Sequence, residues 1–245
     1  MGKIIAVVSG KGGTGKTTFT ASTGLSLAFF GQRVLCMDCD ITLRNLDLAL
    51  GLSDSALMDF SDVLEGRCTL EEAAVPHPRY QKLHLLAAPL SIDEPRVDGK
   101  SLHEMMEKIR AEYDYCLIDA PAGLGSGFRL ATAEADSVVV VTTTDVSALR
   151  DAQRTVMELD RFPNGKLHLV VNRVSKKLLR QLHTTIDDAI DTAGLPLLGV
   201  IPEDMDVPRF LNRGMPLREN NYYAARAYDN IARRIMGRKV PLMRI

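Results

Sequence analysis

The run Gly10-Lys11-Gly12-Gly13-Thr14-Gly15-Lys16-Thr17-Thr18 places four glycines, two lysines and three threonines in nine residues. Counted from Gly10 it reads G-x-x-x-x-G-K-T, and each part has a physical use. Glycines let a loop wrap so that successive N–H groups converge on phosphate oxygens. A helix starting where the loop ends adds the positive end of its dipole. Lys16 is then the cation for the β- and γ-phosphates, and the Thr17 hydroxyl is a direct ligand for Mg²⁺. The chemistry implied is phosphoryl transfer from a nucleoside triphosphate. Lys11 has no part in an ordinary loop of this kind.

Three carboxylates stand at the ends of apolar runs. Asp38 closes RVLCMD, Asp40 follows two residues later, and Asp119 closes CLID. An acid after an apolar strand is the Walker B arrangement, which holds Mg²⁺, usually through water. That role is assigned to Asp119, with Asp38 in support. Asp40 is the candidate for orienting or activating the attacking water. The segments after Asp38 and Asp119 read as switch loops that sense the γ-phosphate. Gly123, Gly125 and Gly127 suit a loop that must rearrange.

These residues need a scaffold, and the hydrophobic pattern supplies it. KIIAVVS (Lys3–Ser9) is an apolar, β-branched run suited to a strand buried on both faces. Thr17–Phe30 follows a helical repeat ending at Gly31, a natural residue just past a helix end. The same grammar predicts strands at Arg33–Met37, Leu83–Ala87, Tyr115–Ile118, Ser137–Thr142, Lys166–Val171 and Leu197–Ile201. It predicts helices at Leu102–Tyr113, Ser147–Leu159, Leu178–Thr192 and Asn221–Met236. Pro76–Pro78 and Ile92–Gly99 read as surface loops. Apolar strands alternating with helices mean an α/β fold, a doubly wound, mostly parallel sheet flanked by helices. Ligands then bind at the carboxyl ends of the strands, where the loop and the acids fall.

Composition bounds the rest. The 245 residues are 46% hydrophobic and 25% charged, which excludes global disorder. A net charge of -1 disfavours a globally basic nucleic-acid binder. No run approaches the ~18 apolar residues of a membrane span, and the N-terminus does not read as a secretory signal. Four cysteines make no disulfide framework. Cys36-Met37-Asp38-Cys39 has no second pair or nearby His pair to complete a zinc site. The expectation is a cytoplasmic protein with reduced thiols, one domain over 1–245, and a short basic tail at about 237–245.

With its second lysine, K-G-G-x-G-K-T resembles the signature of the deviant Walker A (MinD/ParA) ATPases, which include the nitrogenase iron protein and the arsenical pump ATPase. LRNLDL after D-x-D, DAPAGLG, Ala148-Leu149-Arg150-Asp151, Val200-Ile201-Pro202-Glu203-Asp204 and Gly214-Met215-Pro216 resemble segments of its MinD-like branch. The resemblance covers nearly the whole chain. It implies a slow ATP hydrolase using Mg²⁺, stimulated by a partner. ATP would favour a homodimer sandwiching two nucleotides, with Lys11 crossing to the partner's nucleotide. The output would be positioning of a cell-division or other site-determining complex, released by hydrolysis, with MinC- and MinE-like proteins as partners.

The resemblance also implies roles for single residues. Asn45 falls at a switch position near the hydrolytic water. Asp151 is the acid that holds the signature lysine when no dimer is present, and Gly123 lies in the second switch. Asn172 and Arg173 grip adenine, with Pro202, Glu203 and Asp204 as the other wall. Ala120, Cys39 and Thr42 depart from the pattern without removing a phosphate-binding group. Members of the MinD-like branch also carry an amphipathic C-terminal helix that lies on anionic membranes. Here Arg238–Ile245 is too short for one and Pro241 interrupts it. The expected membrane contact, peripheral and on the inner face, is therefore weakened. From Met205 to Ile245 the chain carries nine Lys/Arg and three Asp/Glu, a local +6. A partition ATPase using this patch on nucleoid DNA is the alternative, and a metal-cluster carrier is a more distant one.

Overall fold

Every second residue of strand β1 (Lys3–Val8) enters a different core, because successive side chains of a strand point to opposite faces. Ile4, Ala6 and Val8 join one hydrophobic cluster, and Ile5 and Val7 join the other. The computed structural model describes residues 1–245 except 54, 91–96, 164, 183–184, 212, 214, 216–222 and 244–245, and the side chain of 182. Among the described residues the chain order is β1, α1 (Lys16–Phe29), β2 (Val34–Asp38), α2 (Leu46–Leu50), α3 (Phe60–Leu64), α4 (Leu70–Ala73), β3 (Val75–Pro76), β4 (Leu83–Leu86), α5 (Gly99–Glu112) and β5 (Tyr115–Asp119). There follow α6 (Ser126–Ala133), β6 (Ser137–Thr142), α7 (Val146–Met157), β7 (Leu167–Val174), α8 (Lys176–Leu182), α9 (Ile186–Ala193), β8 (Leu197–Pro202), α10 (Asp206–Leu211) and α11 (Tyr223–Ile235).

The strands form one eight-stranded sheet in the order β3-β4-β2-β5-β1-β6-β7-β8. Only the short edge strand β3 is antiparallel. This is the expected doubly wound α/β sheet. Helices α1, α2 and α11 cover one face, through Phe19, Leu46 and Tyr228 among others. Helices α3 to α7 and α9 cover the other, through residues such as Phe60, Leu102, Phe128 and Leu149. Strand order reverses around β1, so the loop leaving β1 sits at a topological switch point.

Three expectations change. The helix expected over Leu178–Thr192 is two helices, α8 and α9. Thr185 starts the second with a capping box: its hydroxyl accepts the Asp188 N–H at 3.1 Å while the Asp188 carboxylate accepts the Thr185 N–H. Pro76 belongs to β3, because an edge strand tolerates a residue with no N–H to donate. Gly99 opens α5, where the Asp98 side chain caps the helix. Residues 92–96, Gly214, Pro216, Asn221 and Ile245 of the sequence reading lie outside the described residues.

The tail is tied to the body as far as Met243. Gly237, at φ 80, ends α11. The Arg234 guanidinium donates to the carbonyls of Leu198 at 2.9 Å, Val240 at 3.1 Å and Pro241 at 2.7 Å. Met243 packs against the α1–α11 core.

Candidate nucleotide site

The loop between β1 and α1 takes its shape from its glycines. Gly13 and Gly15 adopt φ 80 and φ 87, a region that disfavours any Cβ. Gly10 is glycine for another reason: an added Cβ would lie 2.3 Å from the Asp151 carbonyl of α7. Around Gly12 and Gly13 there is nothing within 4 Å of such an atom, so the middle of the loop faces open space. Gly15 is the N-cap of α1 and offers no side chain to its free N–H groups. Thr14 is buried, and its hydroxyl has no hydrogen-bond partner. A loop with left-handed glycines, an uncapped helix start and an orphaned buried hydroxyl fits a phosphate group.

Behind the loop, Asp119 gathers three side chains at the end of β5. The Thr17 hydroxyl donates to its Oδ2 at 2.6 Å, the Thr20 hydroxyl to its Oδ1 at 3.2 Å, and the Lys16 ammonium lies 3.4 Å from Oδ1. Burial pushes the Asp119 carboxyl up, and the Lys16 charge and these hydrogen bonds pull it back. Asp38 is the register partner of Asp119 on the neighbouring strand. Burial, then the Asp119 charge, pushes its carboxyl up to about 7. The Thr17 hydroxyl and the Asp38 and Asp119 carboxylates are hard oxygen donors of the kind Mg²⁺ takes, with phosphates and water completing the shell.

The first switch segment starts at Asp38. Its Oδ1 accepts the Asp40 N–H at 2.9 Å and its Oδ2 the Leu46 N–H at 3.1 Å. Asp40 is buried and its Oδ1 accepts the N–H groups of Thr42 and Leu43. Asn45 is exposed at the start of α2, with no side-chain cap to that helix. In the second switch segment Gly123, at φ 88, donates its N–H to the Ser9 carbonyl at 3.2 Å.

Lys11 is held differently from the sequence expectation. Its ammonium donates to the Ser147 hydroxyl at 2.8 Å and lies 3.4 Å from Asp145 Oδ2. Asp151 is not its partner here. It lies inside α7, where its backbone carbonyl packs over Gly10, whereas Asp145 and Ser147 flank the start of that helix. The sequence reading missed Asp145; an acid just before a predicted helix was the available signal.

The adenine candidates line one cavity of about 270 Å³, walled by Gly15, Asn172, Arg173, Pro202, Glu203 and Asp204 with others, including Tyr228. The β7–β8 register shifts between Val171 and Val174, and Arg173 takes φ 54. Such a bulge re-aims a side chain. The buried Asn172 amide thereby donates to the Thr14 carbonyl at 2.8 Å, linking this cavity to the phosphate loop. Asp204 accepts the N–H groups of Asp206 and Ala224, so it orders the starts of α10 and α11. Its carboxylate thus has a structural use alongside the wall it forms. Cys36 and Cys39 are both buried in the cores, on opposite faces of the sheet.

Comparison with known proteins agrees with this geometry. The family model described as "AAA domain" matches residues 2–169. The chain is 40% identical to the septum site-determining protein MinD of Bacillus subtilis, over 99% of this chain and 92% of that protein. Its structure is similar to that of a chain in the MinC:MinD cell division protein complex of Aquifex aeolicus, with a TM-score of 0.91, 37% identity, and 99% and 98% of the two chains covered. It is also similar to MinD of Pyrococcus horikoshii complexed with Mg-ADP, with a TM-score of 0.80, 31% identity and 96% of each chain covered.

Proposed function

This chain belongs to the MinD family of septum site-determining P-loop ATPases, and on that premise we propose that it is an ATP-driven switch that positions a cell-division complex. Its reaction is ATP plus water to ADP plus phosphate. The phosphate loop, Gly10 to Thr18, wraps the phosphates, with Lys16 as the cation. Thr17, with Asp38 and Asp119 through water, would hold Mg²⁺. When bound, Mg²⁺ neutralises charge on the phosphoryl group being transferred. Asp40 orients the attacking water, with Asn45 beside it. Asn172, Arg173 and Pro202 to Asp204 enclose the adenine.

We further infer an ATP-dependent homodimer, with Lys11 as the cation reaching the partner's nucleotide. The observation that carries this is where Lys11 lies. Its side chain is 44% exposed and is held by Asp145 and Ser147, a surface pairing that solvent screens and that is easily exchanged. Turnover is slow alone and is stimulated by a MinE-like partner, while a MinC-like partner is the cargo. We read the whole chain as one ATPase domain. It works in the cytoplasm, with at most a weak peripheral contact between its short basic tail and anionic lipid. Among the described residues no helix is long and apolar enough to cross a membrane.

Light scattering with Mg-ATP and Mg-ADP tests the switch. The wild type should double its mass only with ATP. Lys11→Ala should bind ATP yet remain monomeric, and a Lys11→Ala protein that still dimerises with ATP would overturn the sandwich.

A further inference from the structure

We propose that Asp38 is a positioning residue, holding both ends of the loop 39–46 and so setting where Asp40 stands. The inference rests on the ATPase reading above and assigns Asp38 a task separate from the metal shell. Its two carboxylate oxygens are engaged by backbone: Oδ1 by the N–H of Asp40 and Oδ2 by the N–H of Leu46. One donor is near the entry of the loop and the other is the first residue of α2.

The second bond has a clear physical origin. A helix start leaves N–H groups without intrahelical partners. Asn45, at the N-cap of α2, makes no side-chain cap. Asp38, eight residues earlier in sequence, supplies the acceptor instead. Leu46 is itself fully buried and α2 packs on α1, so this end of the loop is fixed to the body.

The segment between is folded around Asp40. Its Oδ1 accepts the N–H groups of Thr42 and Leu43, and its carbonyl accepts the N–H of Arg44 at 2.9 Å. Arg44 takes φ 42, a left-handed conformation unusual for a side chain of its size, and its Nε is buried without a partner. Cys39 donates its N–H to the Asp119 carbonyl at 2.9 Å, tying the loop's start to β5. A loop with an unfavourable residue in it persists only if its ends are held. The buried Asp38 carboxylate is the group that bridges the two ends.

Asp38→Asn tests this, because an amide keeps the shape but replaces one acceptor by a donor facing an N–H. ATP hydrolysis is measured over a range of ATP and Mg²⁺ concentrations, and amide exchange is measured at Asp40 and Leu46. In the variant kcat at saturating ATP and Mg²⁺ should fall at least about tenfold, and both amides should exchange at least about tenfold faster. A tenfold shift in half-saturating Mg²⁺ with kcat retained at saturation would overturn the proposal, leaving Asp38 a metal role alone. Faster exchange with unchanged kcat would overturn it as well. If the variant does not fold, exchange in the nucleotide- and Mg²⁺-free wild type decides. Protected Asp40 and Leu46 amides support the clamp, and amides exchanging like exposed loop positions overturn it. A wild type that failed to hydrolyse ATP would refute the ATPase reading, while this exchange measurement would still judge the clamp.

Discussion

Asp38 and Asp119 face each other in register at the ends of adjacent parallel strands, each 1% exposed. Two carboxylates this deep next to one another cannot both be charged without cost unless cations or N–H groups offset it. Lys16, Thr17 and Thr20 offset part of that cost for Asp119, and the backbone of the first switch offsets part of it for Asp38, yet both carboxyls stay raised. The site is thus arranged to receive positive charge at the point where strand ends, phosphate loop and switch meet.

That pair sets a pH dependence. The Asp38 carboxyl is raised from its ordinary 3.8 to about 7, mainly by burial and next by the Asp119 charge. The folded protein therefore binds this proton more tightly than the unfolded chain does. The resulting stabilisation is complete below the unfolded value and is lost as pH rises through about 7. Without Mg²⁺ or nucleotide, wild-type stability should fall relative to Asp38→Asn by more than about 1 kcal/mol between pH 5 and pH 8. Urea unfolding at the two pH values measures it, and an unchanging difference would remove this carboxyl as the cause.

Replacing Lys16 removes the buried cation beside Asp119. Lys16→Ala should weaken ATP binding by at least about 100-fold, roughly 2.7 kcal/mol. Titration calorimetry measures this, and near-normal affinity would mean that Lys16 is not the phosphate-contacting lysine.

Two loop glycines should respond differently to alanine. At Gly15 the added methyl meets the Asn172 amide at 2.3 Å on a backbone at φ 87, so Gly15→Ala should cost roughly 1–3 kcal/mol and distort the loop. Gly12 has open space around it, and Gly12→Ala should change folding stability by less than about 0.5 kcal/mol. Denaturant midpoints compare the two, and equal costs would contradict the packing described here.

Asp145→Ala removes one partner of Lys11. The pair is exposed, with side chains 44% and 62% accessible, so the variant should shift the ATP-dependent dimerisation constant by less than about fivefold. Analytical ultracentrifugation reads this out. A shift of a hundredfold would mean that release of Lys11 dominates assembly.

Much of this protein was legible along the chain because its chemistry lies at punctuation points. The phosphate loop announces itself by nine consecutive residues, and the acids at 38 and 119 stand where apolar runs stop. Periodicity located the main strands because residues buried on both faces leave an apolar run. It passed over α2, α3, α4, α6 and α10, which are four to eight residues long and too short for a helical repeat to stand out. It also ran α8 and α9 together, since apolar residues recur through both segments of the sequence, whereas the capping box at Thr185 starts a separate helix.

Sequence by itself determined which residues could handle a triphosphate, because that depends on side-chain type and local spacing. Only the tertiary structure decided what those residues touch. Asn172 lies 158 positions from Thr14, yet its amide braces the phosphate loop. Lys11 pairs with Asp145 rather than Asp151, because α7 sets its first turn beside the lysine and the Asp151 backbone against Gly10. Asp38 meets Asp119 because β5 inserts between β1 and β2. Contacts of this kind follow from strand order and helix placement, which are fixed by burying two cores at once, and no local spacing encodes them.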